Sequence, residues 1–287
     1  MSHAAARVLA PLDDVCVDAR TKGMPGGLPP TPLAALGSKG WNLLANDLPL
    51  PLAVLKWSAI DNNSRWMQQV LATYGVSLCP HGKTTMAPQL FRKQLDDGCW
   101  GITLSPPHQV QVARHYGISR IFLANQIVDS VFLDWLARER EADPGFEFFH
   151  LVDSPAGVAA LDAAARRHRL ARPFTVLVEV GSAFARTGSR TLSEVLALAE
   201  AIAASPEAAT LVGVEGFEGS IRGAPGPEIE SRVTDFLGLV SLAAEAIEAR
   251  GLFATDEVLL SAGGSAYFDL VATILSATRI PRAKRVV

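Results

Sequence analysis

The chain has 287 residues and a formal net charge of -3, with 19% charged and 49% hydrophobic residues. This is the balance of a folded globular chain. The absence of a long basic tract argues against a nucleic-acid partner, and no apolar run reaches the roughly 18 residues of a spanning helix. Met1–Ala10 lacks the charged start and apolar stretch of a signal peptide, so a cytoplasmic setting is expected. The three cysteines, Cys16, Cys79 and Cys99, are odd in number and without metal-ligand spacing, and each is expected to be a reduced thiol acting as a small buried hydrophobe.

In chain order, Met1–Pro51 is rich in Pro and Gly around Gly23–Pro32, and LPLAVLKWSAIDNN (Leu50–Asn63) predicts a strand over Leu52–Trp57 running into a helix. A lone strand there needs a partner outside any barrel. Residues 1–63 are therefore expected to form an N-terminal extension whose strand belongs to a second β domain, and residues 64–287 to form the barrel. From Val76 onward, short apolar runs alternate with longer amphipathic segments, the pattern of repeated βα units around a parallel sheet. Strands are predicted at Val76–Pro80, Gly101–Leu104, Ile121–Ala124, Phe146–Val152, Phe174–Val180, Leu211–Phe217 and Glu257–Ser261.

Between them, Ser105 is placed to cap a helix opening with Pro106 and Pro107, and Thr191 with Glu194 has the form of a capping box. Leu192, Val195, Leu196, Ala199 and Ile202 share one helical face, as do Ile229, Val233, Phe236, Leu237, Val240 and Ile247 in a helix stopping near Gly251. The closing RAKRVV reads as the opening of an eighth strand. The expected architecture is an α/β (β/α)8 barrel truncated at the eighth strand, with the edges of the first and seventh strands unpaired and no C-terminal β domain.

The segment PHGKTTMAPQLF (Pro80–Phe91) puts Lys83 directly after the first barrel strand, on the C-terminal rim where barrel enzymes assemble their sites. A lysine at the mouth of an apolar barrel loses hydration, which favours the neutral amine that attacks an aldehyde; Schiff-base chemistry is the natural use. A solvated rim lysine is the plainer alternative. Gly263 and Gly264 in SAGGS follow the seventh strand, where barrel phosphate sites form, and Ser265 adds a hydroxyl. The sixth strand ends at Gly216, Phe217, Glu218 and Gly219, beside the same mouth.

The motifs LPLAVLKWSAIDNN, PHGKTTMAPQLF, WGITLSPPHQV, LANQIVD, FFHLVDS, VEVGSAFARTGSRT, GVEGFEG and SAGGSAYFD, in that order, resemble the pyridoxal 5′-phosphate (PLP) enzymes of the alanine-racemase N-terminal-domain type, fold type III. The similar branch is that of D-threonine aldolase, D-serine dehydratase and amino acid deaminase, and the long N-terminal lead is most like the deaminases. The resemblance implies that Lys83 carries PLP, that His81 contacts it, and that Gly263, Gly264 and Ser265 hold its phosphate. It also implies that Arg186 of ARTG faces its pyridine side, where a permanent cation keeps the ring nitrogen unprotonated. Ser182, Ala183 and Phe184 depart from the smaller, glycine-rich approach expected before Arg186, and Phe217 stands where some members have tyrosine, which removes a hydrogen bond.

The implied activity is a lyase of D-amino acids, dehydrating and deaminating a β-hydroxy D-amino acid such as D-serine or D-threonine. Retro-aldol cleavage of the D-threonine aldolase type and a non-catalytic PLP-binding barrel are the alternatives. In the resembling lyases a divalent metal, Zn²⁺ or Mn²⁺, polarises the β-hydroxyl, and no ligand pair for it stands after Val271. A homodimer is the expected assembly. On these expectations the 287-residue chain by itself is poorly active.

Overall fold

The structure is a computed structural model that describes residues 12, 14–182, 186–223 and 226–287. Two short strands, β1 (Cys16–Val17) and β2 (Thr31–Pro32), pair antiparallel at the N-terminal side. The rest centres on a parallel sheet of seven strands in sequential order: β3 (Ile102–Leu104), β4 (Arg120–Gln126), β5 (Glu147–Val152), β6 (Phe174–Val180), β7 (Ala209–Gly216), β8 (Glu257–Ala262) and β9 (Ala283–Val286). A helix follows each strand from β3 to β8, and its apolar face packs against the outside of the sheet. Val195, Leu196, Ala199 and Ile202 are buried in the helix Leu192–Ala203, and Ile229, Val233, Phe236, Leu237, Val240 and Ile247 in Pro227–Ala249. The Thr191–Glu194 capping box is present in both directions.

The predicted first strand, Val76–Pro80, is not regular, yet its backbone joins the two ends of the sheet. Ser77 N–H donates to Val286 O (2.8 Å), Trp100 N–H to Leu78 O (2.8 Å), Thr103 N–H to Pro80 O (2.9 Å) and Gly82 N–H to Thr103 O (2.7 Å). Arg285 reinforces the junction by donating to Ser77 Oγ (3.1 Å) while pairing with Glu257 (2.9 Å). The expectation of unpaired first and seventh strand edges is therefore corrected. The predicted eighth strand forms over Ala283–Val286, and four residues are enough to hydrogen-bond β8 on one side and Ser77 on the other.

The inside of the ring is packed in rows, because in-register parallel strands point alternate side chains inward. Phe122, Leu151, Leu177, Val212 and Leu259 fill it. The register between β6 and β7 slips here: Val176 pairs with Leu211 but Leu177 with Gly213, so Val212 is the extra residue of a bulge. Gly213 then faces Leu259, where a Cβ would collide with the Leu259 carbonyl. The next row toward the C-terminal ends is Glu179, Glu215 and Ser261.

Three further expectations are corrected. Leu52–Lys56 has no regular structure and pairs with no strand among the described residues, and Trp57 already begins the helix Trp57–Tyr74. An extended segment becomes a strand only where a sheet edge offers partners, and the ring offers none there. Pro106, rather than Ser105, occupies the N-cap of the helix Pro107–His115 without a side-chain cap, because its extended backbone leads directly into Pro107. Cys16 is exposed on its two-residue strand, whereas burial pushes the thiols of Cys79 and Cys99 up to about 12 and about 11.

His150 on β5 lies between sheet and helices, 1% exposed. Its ring centroid is 5.7 Å from that of Phe148, and neither ring nitrogen has a partner among the described residues. Burial first, and the Arg140 charge second, push its pKa down to about 3. The unfolded chain takes up this proton near 6.5, so stability present above that pH is lost as pH falls toward 3.

Urea unfolding as a function of pH tests this: His150→Phe is expected to flatten the acid loss of stability by at most about 1.4 kcal/mol per pH unit. In the same assay at neutral pH, Leu177→Ala, which empties the barrel interior, is expected to cost about 2–5 kcal/mol. Thr191→Ala, which removes one cap, is expected to cost only about 1 kcal/mol.

Candidate active site

Where the strands end at their C-terminal side, a cavity of about 390 Å³ opens. His81, Lys83, Arg186, Phe217, Gly263, Gly264 and Ser265 all line it. Residues chosen from four distant stretches of sequence are thus brought together at one mouth.

Lys83 follows the irregular first strand in a turn held at several points. Met86 N–H donates to Gly82 O (2.9 Å), and Gln109 Nε2 donates to Lys83 O (3.1 Å). A Cβ at Gly82 would lie 2.5 Å from Phe91 Cε1, so glycine lets the turn rest against that buried ring. The Lys83 side chain itself is exposed at the mouth.

His81 Nδ1 lies 3.1 Å from Thr103 O; a carbonyl only accepts, so Nδ1 carries the hydrogen and Nε2 keeps its lone pair. The outer edge of the ring is open to the mouth and the rest is surrounded by protein. That loss of hydration, followed by the Lys83 charge, pushes its pKa down to about 4, against the opposing pull of the Thr103 hydrogen bond.

Arg186 is exposed, with its guanidinium carbon 5.7 Å from the centre of the Phe217 ring. The expected departure at Ala183 and Phe184 lies outside the described residues. Ser182, the third residue of that departure, is half-buried.

The glycine pair after β8 forms an anion seat. Gly263 has φ +140°, a backbone conformation that L side chains rarely adopt, and Gly264 N–H donates to Glu218 Oε1. A Cβ at Gly264 would lie 3.2 Å from that oxygen. Glu218 is fully buried; burial raises its pKa, while the backbone N–H groups of Gly264 and Gly263 pull it back down. A carboxyl group thus occupies backbone donors of the kind that hold a phosphate.

Sequence reasoning placed Glu218 beside the mouth without giving it a role, and it did not single out Glu179 or Glu215. Their signal is a carboxylate at the end of an otherwise apolar barrel strand. Burial raises the pKa of Glu179 and holds that of Glu215 well above the carboxylate range.

A free amine, a fixed cation and glycine amides that accept an anion, all on one cavity, fit a phosphorylated aldehyde such as PLP. A metal is another matter: among the described residues no group of three or more His, Cys, Asp or Glu side chains is arranged to hold one.

No family model matches the chain. It is 26% identical over 226 residues to 3-hydroxy-D-aspartate aldolase of Paracoccus denitrificans (strain Pd 1222), covering 78% of this chain and 57% of that protein. Its fold superposes on D-threonine aldolase from Filomicrobium marinum with a TM-score of 0.67 at 20% identity, covering 84% of this chain and 62% of the other. For D-threo-3-hydroxyaspartate dehydratase from Delftia sp. HT23 the TM-score is 0.66 at 25% identity, covering 83% and 60%. The chain has the alanine-racemase-like α/β fold of these proteins. It spans 57% of the length of the aldolase and about three fifths of those solved relatives. The residues singled out from the resemblance lie around this one mouth. No helix among the described residues is long and apolar enough to cross a membrane.

Sulfate, whose charge is constant across the useful pH range, tests the anion seat. Glu218 repels it while ionised, so binding to the cofactor-free protein is expected to tighten as pH falls through the raised Glu218 pKa. By titration calorimetry, Glu218→Gln is expected to bind sulfate several-fold more tightly at neutral pH and to lose most of that pH dependence.

Proposed function

We propose that this barrel binds PLP through Lys83 and serves a lyase acting on β-hydroxy D-amino acids, with dehydration and deamination as the reaction. The observation that carries the reading is the convergence of Lys83, Arg186 and the Gly263–Ser265 seat on one cavity. The cofactor, when bound, supplies an electron-withdrawing ring that accepts the electron pair released at the substrate's α-carbon.

The chain's own residues do the rest. Backbone donors at Gly263 and Gly264, with the Ser265 hydroxyl, bind the phosphate and fix the orientation of the ring. Lys83 Nζ holds the cofactor at rest and, once displaced by the substrate amine, takes the α-proton. His81, neutral above about pH 4, offers Nε2 as an acceptor at the mouth and adds no charge to compete with Lys83. Arg186 places a permanent cation over Phe217, and Phe217 lends an apolar wall that limits water. Loss of the α-proton and of the β-hydroxyl as water leaves an enamine, which hydrolyses to a 2-oxo acid and ammonia.

Cleavage between the α- and β-carbons is the second reading. The two curated relatives, both 3-hydroxy-D-aspartate aldolases at 26% and 25% identity, favour it. The two reactions differ in the bond broken and therefore in their products. The metal expected from the resemblance has no assigned ligand here, and no step is derived through it.

Two measurements test the proposal. The PLP-loaded protein is expected to show a visible band that borohydride abolishes while fixing the cofactor to Lys83; in Lys83→Ala the band is lost and the circular dichroism spectrum is unchanged. A borohydride-fixed adduct in Lys83→Ala would instead assign the cofactor to another lysine, such as Lys39 or Lys56. With D-serine, D-threonine and 3-hydroxy-D-aspartate, release of ammonia and a 2-oxo acid supports dehydration. Glycine and an aldehyde support the aldolase reading.

A further inference from the structure

Arg186 brings a charge to the cavity wall, yet its guanidinium forms no ion pair among the described residues, and its ring contact is Phe217 at 5.7 Å. Where that charge points is therefore set by the backbone that carries it. The residues that follow it are pinned to the ends of β5 and β6. Thr187 Oγ1 donates to Glu179 Oε1 (2.6 Å) and Gly188 N–H to Asp153 Oδ2 (3.3 Å). Ser189 N–H donates to Glu179 O (2.9 Å), and Gly181 N–H to Ser189 O (2.9 Å). A Cβ at Gly181 would collide with Thr187 O, and one at Gly188 with Gly181 N, so glycine at both positions lets the two backbones touch.

One of these contacts uses a side chain that the mechanism above leaves out. Glu179 is 3% exposed at the end of β6, and Gln126 Nε2 donates to its second oxygen. A carboxylate only accepts, so a donor from β4 and a donor beside Arg186 together occupy both of its oxygens. Burial raises the pKa of Glu179, while the bonds from Thr187 and Gln126 oppose that rise. The charged groups around it are Asp153, Glu215 and Arg186. A buried carboxyl group is costly to leave with an unpaired oxygen, so Thr187 has little freedom to move away from it.

We propose that Glu179 and Thr187 are positioning residues for Arg186: their hydrogen bond ties the backbone beside Arg186 to the end of β6 and so holds the guanidinium at the cavity. Thr187 is the next residue in the chain, and displacing its backbone displaces that of Arg186. The consequence for binding rests on the PLP reading of the cavity, because an anionic cofactor gains more from a fixed cation than from a wandering one. It does not depend on which atom of the cofactor Arg186 meets.

Binding of PLP to the cofactor-free protein, followed by the visible band, tests this in Arg186→Ala, Thr187→Val, Thr187→Ser and the double variant Arg186→Ala/Thr187→Val. Valine has the shape of threonine without its donor, and serine keeps the donor. Arg186→Ala and Thr187→Val are each expected to weaken PLP binding several-fold, and Thr187→Ser to bind as the wild type does. In the Arg186→Ala background, Thr187→Val is expected to cost nothing further, because a contact that acts through Arg186 then has nothing left to position. An equal loss in both backgrounds would show that the contact only supports the fold and overturns the assignment, and so does a Thr187→Val protein that binds PLP like the wild type. Amide hydrogen exchange of the cofactor-free protein gives a readout without PLP. Thr187→Val is expected to speed exchange at Gly188 and Ser189 and to leave Val176–Val178 protected; unchanged exchange at Gly188 and Ser189 also overturns the assignment. A wild-type protein that forms no visible, borohydride-sensitive band removes the PLP reading, and the exchange measurement then decides separately whether the contact holds the segment.

Discussion

A closed ring of parallel strands must fill its own interior, and every second residue of each strand is committed to that task. In this chain the constraint is met by the layer of Phe122, Leu151, Leu177, Val212 and Leu259. The bulge at Val212 turns the bare backbone of Gly213 toward Leu259 and brings Glu215 into line with Glu179 and Ser261. The position of the polar floor thus follows from how the apolar layer beneath it is packed. A change in the bulge would rotate Glu215 out of the cavity without touching any residue of the mouth.

Charge in the site is asymmetric. Glu179, Glu215 and Glu218 are buried near the C-terminal ends of β6 and β7, and burial raises the pKa of all three. Carboxyl groups this close in a poorly hydrated space do not all ionise together, so the region holds protons that open solvent would remove. The cations, by contrast, are at the rim: Lys83 and Arg186 are both exposed. A ligand with an anionic arm and a basic ring atom would find the complementary sign at each end.

Much of this was legible in the sequence, and the reasons are local. Phe174–Val180 coincides with its predicted strand because a run of β-branched and apolar residues, interrupted only by Glu179, marks a strand buried on both faces. The Thr191 capping box was legible because its two partners are three residues apart. Lys83, Arg186 and the glycine pair could be placed at one mouth because each follows the end of a predicted strand. What escaped is decided over long distances. Nothing near Val76–Pro80 reveals that the Ser77 amide meets Val286, and nothing near Leu52–Lys56 reveals that the described residues offer it no strand edge. The acidic floor escaped because inward and outward positions on β7 depend on a bulge that the sequence pattern does not mark.

The junction between Ser77 and Arg285 joins residues 208 apart in the chain. Contacts of that separation cost the most chain entropy to form and arise late in folding. The cavity straddles this junction, with Ser77, His81 and Lys83 on one side and Val286 and Val287 on the other. A molecule seated in it bridges the two sides and binds only the closed ring, so its affinity is coupled to closure of the ring. The cavity thereby doubles as a clasp, and occupancy of the site is linked to integrity of the barrel.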